Sequence, residues 1–237
     1  MKISARIRKM ADIVPPCPAA ADIGTDHGYL PILLCRSGKV QHMIASDVHR
    51  GPAERAAAHI EDARMSQCIE VRLGSGLSVI RPKEVSGAVI AGMGGGLILS
   101  LLEESAALAG SLDWLLLQPM NHVPQVRHWL AENGWKIETE TFVQEERQLY
   151  QMMLCRRGKM SFPSSLWEEI GQVHWERKEM LLEVHLTHLI RQREQLIRGL
   201  SAGTVTEQSC RRMEKARKEK EFLEVLLWKY RQAVSLT

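Results

Sequence analysis

Short apolar runs alternate with longer amphipathic stretches over the first 160 residues of this 237-residue chain. Strand–helix alternation of this kind favours a parallel, doubly wound α/β sheet with helices on both faces. Runs such as GAVIAGM and WLLLQP are almost wholly apolar, which is typical of strands buried on both sides. The predicted strands are 19–23, 42–47, 69–74, 87–93, 114–119 and 149–157. The predicted helices are 29–37, 51–64, 97–109 and 123–133.

The pattern changes after residue 160. Glycine becomes rare, and apolar residues such as Leu182, Leu186 and Leu189 recur at helical spacing. The stretch GLSAGT (199–204) interrupts this pattern, and so short a break permits only an antiparallel pair of helices. We therefore predict two domains, residues 1–160 and residues 161–237, of which the second is a helical hairpin or coiled coil.

Composition excludes some classes of protein. The formal charge of +3 does not by itself indicate a nucleic-acid partner. No segment approaches the roughly 18 consecutive apolar residues of a membrane span. The five cysteines are dispersed and contain no C-x-x-C pair, so we predict no metal site and reduced thiols in a cytoplasmic protein.

The segment ADIGTDHGYLP (21–31) joins the first predicted strand to its helix, where doubly wound sheets bind ligands. Gly24 and Gly28 remove side chains where a ligand must approach the backbone. The spacing is not the G-x-G-x-x-G of dinucleotide-binding proteins. The preceding Asp22 is unsuited to a pyrophosphate but suits a cationic amino acid group, such as that of S-adenosylmethionine.

Further special turns follow the next predicted strands. Asp47 ends the second strand, where an acid accepts hydrogen bonds from both ribose hydroxyls, although it can instead cap the following helix. The third strand ends in RLGSGL, the fourth in AGMGGG and the fifth in QPMNH. Several special turns at one edge of a sheet favour a cofactor site.

Together, five segments of the chain resemble the bacterial TrmK-type tRNA methyltransferases: ADIGTDHGYLP, VRLGSGL, VIAGMGGGLI, LLLQPMNHVPQVRHWLAENGW and LYQMMLCRRG. The resemblance covers essentially the whole chain. It implies a Rossmann-like class I methyltransferase domain followed by the helical hairpin. It also implies S-adenosylmethionine-dependent methylation of N1 of adenine 22 in tRNA, without a metal.

The resemblance also implies a set of cofactor-binding residues. Those surrounding the methionyl part are Asp22, Gly24, Thr25, Asp26, Gly28 and Tyr29. Those expected at the ribose, the adenine and the transferred methyl group are Asp47, Ser75, Gly76, Gly92, Met93 and Gly94. The third turn is usually Gly-Asp-Gly in the family, whereas this chain has Gly74-Ser75-Gly76. Because charged hydrogen bonds are stronger than neutral ones, we expect somewhat weaker cofactor binding.

The chemistry of adenine N1 suggests roles for several residues. N1 has a lone pair and no proton, so methylation needs no strong base, and a carboxylate stabilises the cationic product. We assign that role to Asp26, with His27 as the second candidate; His27 can instead be hydrogen-bonded within the turn. Tyr29 either stacks on a base or packs under the turn. Gln118 either reads an adenine edge or bonds the backbone, and Asn121 or Met120 faces the base.

Basic clusters are candidates for phosphate contact with tRNA. They comprise Arg6 and Arg8 with Lys2 and Lys9, Arg156 and Arg157, and Arg211 and Arg212. The alternative is that each is a solvated surface. We predict a cytoplasmic monomer, with dimerisation through the hairpin as an alternative.

Three other functions compete with this interpretation. A methyltransferase of the same fold that acts on a small molecule or a protein would not need the basic hairpin. A non-catalytic RNA-binding protein would not need an intact cofactor site. A nucleotide-dependent dehydrogenase would require the missing G-x-G-x-x-G.

Overall fold

The computed structural model describes residues 3–204 and 206–235. Lys2, named above among the basic residues, lies outside these ranges. The chain divides into two compact units, Met1–Phe162 and Pro163–Thr237. Within the described ranges, no helix has both the length and the apolar character needed to cross a membrane.

A seven-stranded sheet forms the centre of the first unit, counted over the described residues. Its strands are β1 (Cys17–Ile23), β2 (Val40–Asp47), β3 (Ile69–Leu73), β4 (Gly87–Met93), β5 (Trp114–Pro119), β6 (Trp135–Glu145) and β7 (Gln148–Arg157). Their order across the sheet is β3-β2-β1-β4-β5-β7-β6. The pairs among β1 to β5 are parallel, whereas β7 is antiparallel to both β5 and β6. The order changes direction between β1 and β4, which is where doubly wound sheets bind ligands.

Helices connect and cover the strands. In the first unit they are α1 (Ala5–Ile13), α2 (Tyr29–Arg36), α3 (Arg50–Asp62), α4 (Gly95–Glu104), α5 (Ala106–Ser111) and α6 (Val123–Glu132), with a short 3₁₀ helix at Gly76–Val79. In the second unit they are α7 (Ser165–Ile170), α8 (Gln172–Glu176), α9 (Leu182–Ala202) and α10 (Glu207–Ser235).

The sheet is buried on both faces because successive strand residues point to opposite sides. Met43 and Leu116 belong to a core cluster that also contains residues of α1, α2 and α3. Leu115 and Leu117, which flank Leu116 in β5 and point to the other face of the sheet, are fully buried as well. This two-sided burial explains the nearly continuous apolar runs in the sequence.

The α/β fold and the helical hairpin predicted from the sequence are confirmed, with differences in detail. The sheet is mixed rather than wholly parallel, because β7 runs antiparallel to β5 and β6. Strand β6 and helix α1 were not predicted. Strand β6 lies at the edge of the sheet and alternates apolar with charged residues, so it lacks the apolar run of the central strands. The predicted helix 97–109 is two helices, because the backbone leaves helical geometry at Ser105.

In the second unit α9 and α10 pack against each other through buried leucines such as Leu186 and Leu223. Arg193 of α9 adds ion pairs to Glu169 at 2.6 Å and to Glu219 of α10 at 2.9 Å. The residues before α9 form the short helices α7 and α8 rather than part of a long helix. The assignment of separate functions to the two units stays a prediction.

Candidate active site

A cavity of about 460 Å³ opens beside the carboxyl ends of β1 and β4. Its lining comes from the β1–α2 turn, the end of β4 (residues 91 and 92), Met120 after β5, helix α1 and Tyr150 of β7. Its volume lies within the usual range for small-molecule sites. The cavity therefore brings together residues that are far apart in the sequence.

The β1–α2 turn that lines the cavity is held by its own backbone. The N–H groups of Gly24 and Thr25 both donate to the carbonyl of Ser46, at 2.8 and 2.7 Å. The hydroxyl of Thr25 accepts from the Gly28 N–H at 3.2 Å. Gly24 has φ +78°, a left-handed conformation that L side chains rarely adopt, and a Cβ there would also displace the methyl group of Met93. The turn therefore favours glycine at position 24.

Asp22 is a buried carboxylate that lines the cavity. Its side chain has no ion-pair partner within the described part of the chain, and the residue is 8% exposed. Burial raises the pKa of Asp22 to about 6, while a hydrogen bond from Thr25 acts in the opposite direction. A buried carboxylate without a cation is costly to ionise, so a cationic ligand in this cavity gains a strong partner.

Asp26 has partners that the sequence did not indicate. Its carboxylate accepts a hydrogen bond from Arg55 Nη2 at 2.5 Å, and its second oxygen lies 3.2 Å from His27 Nε2. The hydrogen bond from Arg55 lowers the pKa of Asp26. Asp26 lines the cavity, but its charge is compensated by Arg55, which weakens its ability to stabilise a cation. Arg55 lies on α3, so no local pattern could identify it.

Three rings form an aromatic cluster beside this turn. The ring centroids of His27 and Tyr29 are 5.2 Å apart, and His59 lies 5.5 and 5.1 Å from them. The Nδ1 atom of His59 is 3.0 Å from the carbonyl oxygen of His27. Tyr29 therefore packs against neighbouring rings and also lines the cavity.

Gln118 does not line the cavity, contrary to its predicted role as a reader of the base. Its side chain is fully buried. The Oε1 atom accepts from Arg6 Nη1 at 3.0 Å and from the Gly92 N–H at 3.2 Å, and Nε2 donates to the Pro119 carbonyl at 3.2 Å. The alternative noted from the sequence, an amide bonded to the backbone, describes its geometry.

Asn121 also bonds the backbone. Its Oδ1 atom accepts from the N–H of Gly95 at 3.0 Å, in the first turn of α4. Asn121 is exposed but is not among the cavity-lining residues. Met120 does line the cavity and is 41% exposed. Of the two candidates to face a base, the structure therefore favours Met120.

The remaining predicted cofactor residues lie at neighbouring strand ends, and all of them except Gly92 are outside the cavity lining. Asp47 accepts from the His49 N–H at 2.8 Å, just before α3. Ser75 immediately precedes the short 3₁₀ helix that begins at Gly76, and Ser78 Oγ donates to the Ser75 carbonyl. Gly92 lines the cavity, whereas Met93 and Gly94 do not. The cofactor roles of this second group stay predictions.

Arg6 lies in the cavity rather than on an outer surface. Its guanidinium carbon is 4.9 Å from the ring centroid of Tyr150, and its backbone N–H donates to Glu145 Oε1 at 2.7 Å. Tyr150 belongs to a strand predicted from its apolar residues, and the sequence contained no signal for its place in the site. Arg8, two residues along the same helix, is exposed.

The predicted RNA-binding residues Arg156 and Arg157 lie at the end of the sheet opposite the cavity, near the amino end of β5. Arg156 pairs with Trp114, the first residue of β5, so it lies roughly 17 Å from the carboxyl end of that strand. Arg156 forms an ion pair with Glu138 at 2.7 Å. The guanidinium of Arg157 covers the ring of Trp135 at 4.1 Å. Both side chains thus have structural partners, and their position does not support phosphate contact next to the cavity.

Arg211 and Arg212 lie on α10 in the second unit and are exposed. Arg211 forms an ion pair with Glu207 one turn earlier in the helix. Their contact with RNA stays a prediction. Within the described residues, no three His, Cys, Asp or Glu side chains are grouped to hold a metal ion.

Comparisons with known proteins identify the domain that carries the cavity. A sequence model of the methyltransferase domain matches residues 3–153. The tRNA (adenine(22)-N(1))-methyltransferase of Bacillus subtilis is 33% identical over 158 residues, which are 67% of this chain and 66% of that protein. The aligned part thus spans slightly less than two thirds of that relative.

Solved structures extend the likeness to both units. The crystal structure of the B. subtilis m1A22 tRNA methyltransferase TrmK has a TM-score of 0.85 and 28% identity, and covers 95% of this chain and 99% of that one. A Streptococcus pneumoniae protein in complex with S-adenosyl-L-methionine has a TM-score of 0.82 and 28% identity, and covers 95% of this chain and 100% of that one. The resemblance to the TrmK-type family is confirmed.

Proposed function

The chain belongs to the methyltransferase-domain family, and we propose that it transfers the methyl group of S-adenosylmethionine to N1 of adenine 22 in tRNA. The observation that carries the proposal is the buried Asp22 in a cavity bordered by Gly24, Gly28 and Gly92. Its similarity to tRNA (adenine(22)-N(1))-methyltransferases supports the choice of substrate. A tRNA substrate also implies a cytoplasmic enzyme.

The residues present fit the cofactor. Asp22 supplies an anion in a buried position for its ammonium group, and Gly24, Gly28 and Gly92 contribute backbone without a side chain to the cavity lining. When bound there, S-adenosylmethionine supplies an electrophilic methyl group. No proton leaves adenine N1 on methylation, so the protein needs to orient the base and exclude water. Because N1 lies on the Watson–Crick edge, the adenine must first be exposed.

The family assignment leaves no support for the dehydrogenase alternative. A methyltransferase acting on another substrate and a non-catalytic RNA-binding protein are outcomes of the test below. Binding of tRNA through α9 and α10, and the monomeric state, are part of the proposal.

The direct test measures labelled methyl transfer to unmodified tRNA transcripts that carry adenine or guanine at position 22. We expect incorporation with adenine and at least a tenfold lower rate with guanine, because only adenine has an unprotonated N1. Equal incorporation into both transcripts would place the methyl group elsewhere. Cofactor binding without incorporation would indicate a different substrate.

The affinity for the cofactor is expected to depend on pH through Asp22. This carboxyl must be ionised to pair with an ammonium group, and its pKa in the free protein is about 6. Affinity should therefore be highest above pH 6 and should fall by up to about tenfold per pH unit below it. Calorimetric titration between pH 5 and 8 measures this fall. An Asp22→Asn variant, which cannot titrate there, should show no such slope.

A further inference from the structure

Arg6 contributes a cation to the cavity without a compensating anion. Within residues 3–204 and 206–235 its guanidinium has no ion-pair partner, and the nearby Glu145 accepts from the backbone N–H instead. The side chain is held by Gln118 and lies over the ring of Tyr150. A partly buried charge of this kind is costly unless a ligand pairs with it.

One edge of the Arg6 guanidinium, formed by Nε and Nη2, has no hydrogen-bond partner among the described residues. Nη1 donates to Gln118 Oε1 at 3.0 Å and lies 3.9 Å from Met120 Sδ. The Nε atom is buried and has no hydrogen-bond partner among the described residues. The Nη2 atom likewise bonds no described residue. Nε and Nη2 form the edge with which arginine binds a carboxylate or phosphate through two parallel hydrogen bonds.

Gln118 fixes the direction of this edge. It is fully buried, and its Oε1 atom accepts from both Arg6 Nη1 and the Gly92 N–H. Gly92 has φ +75°, a left-handed conformation that favours glycine, and a Cβ atom there would be in van der Waals contact with Arg6 Nη1 at 3.7 Å. Gln118 of β5 thus links Arg6 of α1 to Gly92 at the end of β4.

We propose that Arg6 is the oxyanion-binding residue of this cavity and that Gln118 is its positioning residue. This inference rests on the proposed function, which offers two sources of an oxyanion: the carboxylate of the cofactor and a phosphate of the tRNA. Contact with the methylated ring itself is disfavoured, because methylation makes that ring cationic and a neighbouring guanidinium would oppose the charge.

The test compares Arg6→Ala, Arg6→Lys and Gln118→Glu with the unaltered protein. Gln118→Glu keeps the size of the side chain and gives Arg6 an internal carboxylate partner. The affinity for S-adenosylhomocysteine is measured by calorimetry, and the affinity for a tRNA transcript by filter binding. Arg36→Ala is the matched control, because Arg36 is exposed at the end of α2, away from the carboxyl ends of the strands. Circular dichroism establishes that each variant is folded.

We expect Arg6→Ala and Gln118→Glu to weaken binding of one ligand at least tenfold, Arg6→Lys to have an intermediate effect, and Arg36→Ala to have none. Loss confined to S-adenosylhomocysteine identifies the cofactor carboxylate, and loss confined to tRNA identifies a phosphate. Changes below twofold for both ligands in Arg6→Ala would overturn the proposal. A loss in Arg6→Ala without one in Gln118→Glu would overturn the positioning role.

These binding measurements are independent of methyl transfer. If the unaltered protein binds both ligands but does not methylate adenine 22, the proposed substrate is wrong while the result for Arg6 still stands.

Discussion

Replacement of Asp22 by asparagine is expected to weaken S-adenosylmethionine binding by about 30-fold or more. Removing one partner of a buried charge pair costs about 2–5 kcal/mol, and 1.4 kcal/mol corresponds to a factor of ten. Asparagine keeps nearly the same shape, so the loss reports on charge. Calorimetric titration with the cofactor measures it. A change below threefold would show that Asp22 does not pair with the cofactor.

The same Asp22→Asn variant is expected to gain stability relative to the unaltered protein at neutral pH. The pKa of Asp22 is about 6 in the folded protein and 3.8 for an exposed aspartate, as in the unfolded chain. The folded state therefore binds the proton more tightly. Stability from this group is therefore present at acidic pH and is lost as pH rises between about 4 and 6, by roughly 3 kcal/mol. Asparagine avoids that loss.

Urea unfolding at pH 4 and at pH 7 measures the effect. The variant's free energy of unfolding minus that of the unaltered protein should be larger at pH 7 than at pH 4. A charge that is needed for binding but lowers the free energy of unfolding is typical of functional sites. If the difference between the two proteins is the same at both pH values, Asp22 is not the titrating group.

The second large effect is expected at Arg127, which forms a fully buried ion pair with Glu140 at 2.7 Å. Arg127 also donates to Gln151 Oε1 at 2.7 Å, so it joins α6 to β6 and β7. Arg127→Ala leaves the Glu140 carboxylate buried without this partner. We expect the free energy of unfolding to fall by about 3–5 kcal/mol, measured by urea denaturation.

A double variant distinguishes the effect of removing the whole ion pair from the effect of leaving one charge buried without its partner. Arg127→Met combined with Glu140→Leu replaces both charges with apolar side chains of similar size. Such replacements are often close to neutral, so the double variant should be markedly more stable than Arg127→Ala. If the two variants are equally unstable, packing rather than the buried charge determines the effect.

The sequence predicted the fold because its signals are local. Apolar runs of strand length, such as WLLLQP, are sufficient to identify strands that are buried on both sides. The break GLSAGT likewise predicted the hairpin of α9 and α10. Strand β6 was missed because an edge strand carries charged residues on its exposed positions, which removes the continuous apolar signal.

The candidate site was predictable where it lies on a single turn. Asp22, Gly24 and Gly28 precede or begin α2, and their spacing alone indicated a ligand that approaches the backbone. Gln118 shows the limit of such reasoning. Its place at a strand end predicted a side chain directed at the substrate, whereas burial and two hydrogen bonds direct its amide at Arg6 and Gly92.

The sequence by itself therefore determined the alternation of strands and helices, the turn at Asp22 and the resemblance to a methyltransferase family. Only the tertiary structure decided which side chains share the cavity. Arg6 and Tyr150 are separated by almost the whole first unit, and the pairing of Asp26 with Arg55 joins a turn to a different helix. Contacts between distant segments depend on how the elements pack, and no local spacing in a single sequence records that packing.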